Sequence, residues 1–367
     1  MAEPPREENP AAAFEPDDQV NPLGGGAVES GTLPSWFLEA VVGGSALVAL
    51  AVLLVTGSLT IVLLFLLTFA LALPTAYIWS RMAETRRQAT DRVFTLAVVA
   101  GFGLAVAPLI SLLYEVVKRG VKGLDLAFFT ESARGVIGAG GGAQHAIIGT
   151  LVITGVATLI SVPIGIMGAV YLNEYGAGRL RRALTFFVDV MTGIPSIVAG
   201  LFAYALFAIF LGPGIRLGII GSVALTVLMI PIVIRSSEEI LKIVPNQLRE
   251  AAYALGTPKW KVVTRIVLPT ALAGLVTGVM LAVARVIGET APLLVTTGVI
   301  DQVNTDPFSG RMQNLAVYAY SEYKDPGVDV QASYDKAWAA ALTLILIVMI
   351  LSLIARWVYR RFGTDIR

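Results

Sequence analysis

Eight long apolar runs recur along this chain, and they constrain its fold more than any other feature. The runs lie near 36–56, 58–79, 93–117, 146–172, 186–211, 218–235, 270–298 and 337–357. Apolar runs of about 18 residues or more indicate membrane-spanning helices, because lipid offers the backbone no hydrogen-bond partners. The composition agrees, since 56% of the 367 residues are hydrophobic and only 14% are charged. We therefore expect an all-α membrane protein.

The arrangement of these runs suggests four segments. Residues 1–35 carry seven acidic residues against one arginine and lack apolar periodicity, so they predict a disordered acidic cytoplasmic tail. Residues 36–80 hold the first two runs and predict an accessory transmembrane hairpin. Residues 93–357 predict a core of six spans, and 358–367 a basic cytoplasmic tail.

Basic residues cluster after alternate spans, and their distribution predicts the orientation of the chain. The clusters hold Arg81, Arg86, Arg87 and Arg92, then Arg179, Arg181 and Arg182, and finally Arg356, Arg360, Arg361 and Arg367. Cytoplasmic segments are enriched in Lys and Arg, so both termini are expected in the cytoplasm of a multi-pass protein of the cell membrane. The net charge of +1 gives no reason to expect a nucleic-acid partner. No removable signal peptide is recognisable.

A loop between two apolar spans, within 236–269, carries a distinctive spacing. Glu250-Ala251-Ala252 is followed after three residues by Gly256, and nine residues later by Ile266-Val267-Leu268-Pro269. The pattern predicts a short helix, a reversal and a second short helix. Gly256 suits the left-handed conformation that closes the first helix.

The same loop has the composition of a docking element. Thr257 is expected to cap the second helix, with Pro258 in its first position and Pro269 ending it before the next span. Small residues such as Ala251 and Ala252 would keep one surface thin enough for another protein to approach closely. The alternative interpretation is an ordinary interfacial linker.

The span after Pro269 carries two charges where lipid would penalise them. Arg285 lies sixteen residues beyond Pro269, or roughly 24 Å along a helix. Glu289 follows four residues later, so a continuous helix would place both side chains on one face. Intramembrane ionisable residues usually mark functional sites. We predict an anion site on a translocation pathway, with Arg285 as donor and Glu289 as its resting counter-ion; the alternative is a structural ion pair.

Other residues of the sequence are less informative about function. Asp189 precedes Thr192-Gly193-Ile194-Pro195-Ser196, which predicts a kinked or broken helix, and Asp189 itself is expected to be a capping or interfacial acid. With no cysteine and the single His145, no metal site is predicted. The glycine run 138–142 lacks the Gly-Lys-Ser/Thr that completes a nucleotide-binding loop. We therefore expect this chain to bind no cofactor, and ATP to be bound by another polypeptide.

Several sequence segments resemble those of one protein family. The loop spacing resembles the coupling loop of ABC importer permeases. DVMTGIPSIVAGLFAY from Asp189, EEILKIVPNQLREAAYALGTPKWKVVTRIVLP from Glu238 and ARVIGETAPLL from Ala284 together resemble the phosphate-specific ABC transporter permease, of the PstA type. The similarity covers about 93–360. The accessory hairpin and acidic tail lie outside it, and His145 stands where the family more often has a small polar residue.

The resemblance implies a fold, partners and residue roles. The fold would be the transmembrane domain of a type I ABC importer. The partners would be a PstC-type sister permease, two ATPase subunits holding ATP and Mg, an extracytoplasmic phosphate-binding protein and membrane lipid. The coupling residues would be Glu250, Ala251, Ala252, Gly256, Ile266, Leu268 and Pro269. The chain would be a non-catalytic subunit importing inorganic phosphate by alternating access.

Three other functions are compatible with these residues. The cargo could be another oxyanion, such as phosphonate or molybdate. An ATP-independent secondary transporter or channel could use Arg285 and Glu289 as an ion relay. A structural or signalling membrane scaffold is a third possibility, but it leaves the docking loop without a purpose.

Overall fold

A computed structural model describes residues 33–58, 60–136, 138 and 140–362. Every regular element among these residues is helical. Most of the predicted acidic tail, and the last five residues of the basic tail, lie outside the described residues.

Fourteen α-helices follow one another along the described chain. They are α1 (Phe37–Thr56), α2 (Ile61–Ala83), α3 (Arg86–Gly120), α4 (Leu126–Thr130), α5 (Gln144–Val170), α6 (Gly178–Thr192), α7 (Ser196–Leu211), α8 (Gly218–Ile243), α9 (Asn246–Ala254), α10 (Lys259–Val262), α11 (Leu268–Ile287), α12 (Ala291–Thr296), α13 (Leu315–Lys324) and α14 (Val330–Phe362). Two π-helical turns, Tyr171–Tyr175 and Val263–Val267, adjoin α5 and α11.

The first compact unit, ending at Ile110, holds the accessory hairpin and the first part of α3. Helices α1 and α2 pack against each other, and Leu96 of α3 joins their apolar cluster. Glu84, between α2 and α3, pairs with Arg92 at 2.7 Å and accepts a hydrogen bond from the Leu33 amide. The Arg92 hydrogen bond lowers the pKa of Glu84 to about 2, so this pair stays ionised well into acid. The domain division itself stays a prediction.

The second unit, from Ser111 onward, is built around α5 and α8. Its largest apolar cluster combines buried side chains of α5, α8, α11 and α12, including Ile153, Met229 and Val286. Helices α5 and α8 approach closely at Gly165, where an added Cβ would lie 2.6 Å from Val233 Cγ1. This packing positions α11, which carries Arg285.

Seven helices of the described chain are long and apolar enough to cross a membrane. The one predicted run that does not match a single long helix of the described chain is 186–211. It is divided between α6 and α7, which meet at a bend of 107°. The break falls at Gly193-Ile194-Pro195, as the sequence predicted, because proline lacks an amide hydrogen and restricts the preceding residue. Helix α6 has Arg179, Arg181 and Arg182 near its start.

The segment 299–336, between the last two predicted apolar runs, contains regular structure. Helix α13 lies within it, and its first four residues, Leu315 to Tyr318, are buried against α5 and α14. Asn314 caps α13, accepting a hydrogen bond from the Val317 amide at 3.1 Å. The last span also begins earlier than predicted, at Val330 rather than Ala337. The sequence pattern did not predict α13, because its polar residues are interleaved with tyrosines.

Candidate functional site

The docking loop forms a helix, a tight reversal and a second helix. Gly256 has a φ of +74° after α9 ends. Its amide donates to the Tyr253 carbonyl at 2.9 Å, and the Thr257 amide donates to the Ala252 carbonyl at 3.1 Å. These two bonds form a Schellman motif, which requires a left-handed residue at the glycine position. The role predicted for Gly256 in the reversal is therefore confirmed.

Three details of the predicted second helix are wrong. Thr257 provides no side-chain cap, because it lies one residue before Pro258, which occupies the N-cap position of α10. Pro258 precedes α10 rather than occupying its first position. Pro269 does not end a helix before the next span, since α10 continues through the π-helical turn Val263–Val267 into α11. A π-helical turn is wider than an α-helical turn, so Pro269, which lacks an amide hydrogen, fits after it without ending the helix.

Burial divides the predicted coupling residues into two groups. Ala252 is only 6% exposed, and with Ile266 and Leu268 it belongs to an apolar cluster formed by α9, α10 and the adjoining ends of α5, α8 and α11. Ala252 therefore faces the protein interior, contrary to the expectation that it lies on a docking surface. Glu250, Ala251 and Gly256 are exposed, while Ile266, Leu268 and Pro269 are partly buried.

Large apolar residues on this element escaped the sequence interpretation. Leu255 is 86% exposed and Trp260 is 58% exposed, and they flank the reversal at Gly256. Two such side chains beside one turn form an apolar tip on an otherwise polar surface. The sequence contained a signal for this tip, because Leu255 and Trp260 are large apolar residues in a charged loop between spans.

The structure separates the two charged residues that the sequence placed on one helical face. Helix α11 ends at Ile287, and Gly288 and Glu289 lie in the break before α12. No ion pair in the described part of the chain includes Arg285 or Glu289. The predicted resting pair is therefore wrong, because a helix ending at Gly288 no longer holds residues four apart on one face.

Arg285 lies on the face of α11 that points away from the rest of this chain. Thr277, Leu281, Arg285 and Gly288 are all exposed at helical spacing, while Val286 and Ile287 are buried against neighbouring helices. An arginine so far along a membrane helix needs a polar environment. The Arg285 side chain is exposed in the described chain, and no ion pair there includes it.

Glu289 is half-buried, and a neighbouring asparagine positions its backbone. The Asn314 amide nitrogen donates to the Glu289 carbonyl at 3.4 Å, while the Asn314 side-chain oxygen caps α13. The break carrying Glu289 is therefore tied to the outer helix α13. The sequence could not reveal this contact, because 25 residues separate its partners.

Two further residues singled out in the sequence have clear positions. Asp189 pairs with Arg235 of α8, which also pairs with Glu238, while its position at the membrane interface stays a prediction. His145 is buried at the start of α5, and its ring stands edge-on to Tyr318 of α13 with centroids 5.4 Å apart. Neither residue contacts Arg285.

Comparison with known proteins identifies the family to which this arrangement belongs. Residues 161–367 match the binding-protein-dependent transport system inner membrane component family. The phosphate transport system permease protein PstA 1 of Mycobacterium tuberculosis (strain H37Rv) is 44% identical over 289 residues, covering 78% of this chain and 92% of that protein. This chain belongs to the PstA family of transport permeases.

Other relatives agree with the PstA assignment. PstA of Mycobacterium leprae is 46% identical over 73% of this chain and 88% of that protein. PstA of Yersinia pestis is 37% identical over 77% of this chain and 94% of that protein. The chain is therefore a multi-pass membrane protein and a permease subunit, and the family resemblance seen in the sequence is confirmed.

Solved structures show the same fold. A bacterial alginate ABC transporter in complex with a pentasaccharide-bound periplasmic protein has a chain that superposes with a TM-score of 0.54 at 14% identity, covering 76% of this PstA-family chain and 98% of that one. A second alginate importer structure gives a TM-score of 0.51 at 16% identity, covering 76% and 100%. The predicted ABC importer transmembrane fold is therefore confirmed.

Proposed function

We propose that this chain is the PstA-type permease subunit of an ATP-driven importer of inorganic phosphate. Arg285 carries the proposal: it lies in the last turn of the membrane-spanning helix α11, its side chain is exposed, and it has no ion-pair partner in the described residues. The PstA names of its relatives support phosphate as the cargo.

The chemistry of Arg285 suits a tetrahedral oxyanion. A guanidinium stays charged when water is removed and donates two parallel hydrogen bonds to adjacent oxygens. Glu289, four residues away, provides a carboxylate that could accept a hydrogen bond from a protonated phosphate oxygen. Sulfate carries no such proton at neutral pH, so it would leave that half-buried acceptor unpaired at a cost.

Membership of the PstA family supports further subunits in the complex. A PstC-type sister permease would complete the pathway beside Arg285, and an extracytoplasmic binding protein would deliver phosphate. Two ATPase subunits, carrying ATP and Mg, would dock on Glu250, Ala251 and the apolar tip formed by Leu255 and Trp260. ATP binding would draw the ATPases together and drive alternating access.

The orientation that fits this mechanism places the docking element in the cytoplasm. Two helices long and apolar enough to cross a membrane, those containing α11 and α14, separate the docking element from the basic cluster at Arg356 and Arg360. Two crossings return a chain to the side on which it started, so we expect the docking element and this basic cluster on one side of the membrane. By the positive-inside tendency that side is cytoplasmic, with both termini there and membrane lipid around the spans.

Phosphate uptake by the reconstituted complex tests the site assignment. Arg285→Lys loses the bidentate geometry and Glu289→Gln loses the carboxylate, and each should lower uptake roughly tenfold or more. Arg119→Lys and Glu115→Gln alter an exposed Arg–Glu pair on α3 and serve as matched controls that should leave uptake unchanged. Parental uptake by both site variants would reject the assignment, and molybdate or phosphonate outcompeting phosphate would reject the cargo.

A further inference from the structure

Arg249 of the docking helix α9 differs from the other charged residues of that element because most of its side chain is buried. Its side chain is 12% exposed, and that of its partner, Glu174, is 5% exposed. Glu174 lies in the π-helical turn that follows α5, 75 residues earlier in the chain. The pair thus connects the docking element to the end of a membrane-spanning helix.

The guanidinium bonds to two different helix ends. Arg249 Nε and Nη2 donate to Glu174 Oε1 at 3.1 and 2.8 Å. Nη1 also donates to the Val244 carbonyl at 2.6 Å, and Nη2 to the Leu241 carbonyl at 3.0 Å. Those carbonyls belong to the last turn of α8, where backbone oxygens lack partners within the helix. One side chain therefore joins α9 to α5 and α8.

Stability alone does not explain a buried ion pair at this position. Apolar residues of similar volume usually stabilise a buried site as well as an ion pair does. An apolar cluster containing Ala169, Leu241, Val244 and Ala252 already lies beside the pair. The ion pair also fixes the relative orientation of the elements that it joins. The planar guanidinium holds its hydrogen-bond partners at defined angles, whereas apolar contacts allow sliding.

We infer that Arg249 and Glu174 are positioning residues, which make the docking element move together with the adjoining ends of α5 and α8. This inference rests on the proposed function, in which ATPase subunits dock on that element. The chain itself provides one route of movement, from α10 through the π-helical turn into α11. Arg249 provides a second route, so that movement of the docking element reaches α5, α8 and α11 together.

The coupling ratio, phosphate imported per ATP hydrolysed by the complex in proteoliposomes, tests this inference. Glu174→Gln and Arg249→Lys should lower the ratio about 5-fold or more, a typical minimum for energetic coupling between sites. The ATPase subunits should still copurify, because the exposed docking residues are unchanged. Glu115→Gln, which breaks an exposed pair of the same chemistry, should keep the parental ratio.

A cross-link separates positioning from a general need for the ion pair. The chain has no cysteine, so Glu174→Cys with Arg249→Cys creates one unique thiol pair. A short bifunctional thiol reagent should restore the ratio that the double variant loses. It should have no such effect on either single cysteine variant.

The outcomes distinguish this inference from the proposed function. Parental ratios in Glu174→Gln and Arg249→Lys would overturn the inference, as would a cross-linked pair that assembles but stays uncoupled. Loss of assembly in every variant, with or without the cross-link, would also overturn it, because the residues would then serve folding only. A parental complex that imports no phosphate would instead overturn the proposed function.

Discussion

At the scale of single residues, Gly256 shows how one backbone conformation shapes the docking element. Its φ of +74° allows the chain to reverse within two residues, and an added Cβ would meet no atom within 4 Å. Any cost of a side chain there comes from the backbone alone. The effect of a substitution can thus be assigned to conformation rather than to packing.

We expect Gly256→Ala to destabilise the reversal by about 1–2 kcal/mol, because a left-handed backbone is strained for residues with a Cβ. The measurements are the unfolding temperature of the permease and the amount of ATPase subunit retained on purification, and both should fall. Gly155→Ala, in the interior of α5 with open space around it, is the matched control. It should stabilise by up to about 1 kcal/mol. Equal effects of the two substitutions would contradict the conformational explanation.

At the scale of helices, α12 depends on close contact with α7. A Cβ added to Gly200 of α7 would lie 2.6 Å from Pro292 Cα and 2.9 Å from the Pro292 carbonyl oxygen. Helix α12 follows Glu289 directly, so its position sets the geometry of the break that carries the proposed site. Arg285 and Glu289 are thus held by different elements, and their spacing depends on how those elements pack.

We expect Gly200→Ala to push α12 away from α7 at a cost of about 1–3 kcal/mol, which is typical of overpacking. Phosphate uptake by the assembled complex should fall roughly tenfold or more, because small displacements of a site are costly. Uptake and unfolding temperature should be measured together, again with Gly155→Ala as control. A variant with lower stability but parental uptake would show that α12 does not position the site.

At the scale of the whole molecule, the proposed function makes this chain one subunit of a larger transporter. Its sequence has no nucleotide-binding loop, and in the described residues Arg285 faces away from its own helices. Under the proposed function, a second chain covers that face and other chains supply the energy. This is the physical distinction between an importer subunit and a self-contained channel.

We expect proteoliposomes containing the complete complex to accumulate phosphate only when ATP is supplied on the side of the docking element. Without ATP, an imposed phosphate gradient should produce no flux above that of protein-free vesicles. Radiolabelled phosphate measures both conditions. Flux without ATP would favour the secondary transporter or channel, with Arg285 and Glu289 acting as a relay.

Much of the architecture was accessible from the sequence because it follows from local rules. Apolar length predicted the spans, proline and glycine predicted the break after Asp189, and the spacing around Gly256 predicted the reversal. Each of these depends on residues only a few positions apart. The same local reasoning failed at Pro269, where a π-helical turn accommodated the proline without ending the helix.

The sequence by itself therefore determined the family, the membrane class and the place of the docking element. Only the tertiary structure decided that Ala252 faces inward, that Arg285 and Glu289 do not pair, and that Arg249 joins Glu174 across 75 residues. Burial and ion pairing depend on which distant segments pack together. Backbone propensities, which act over a few residues, carry no information about those partners.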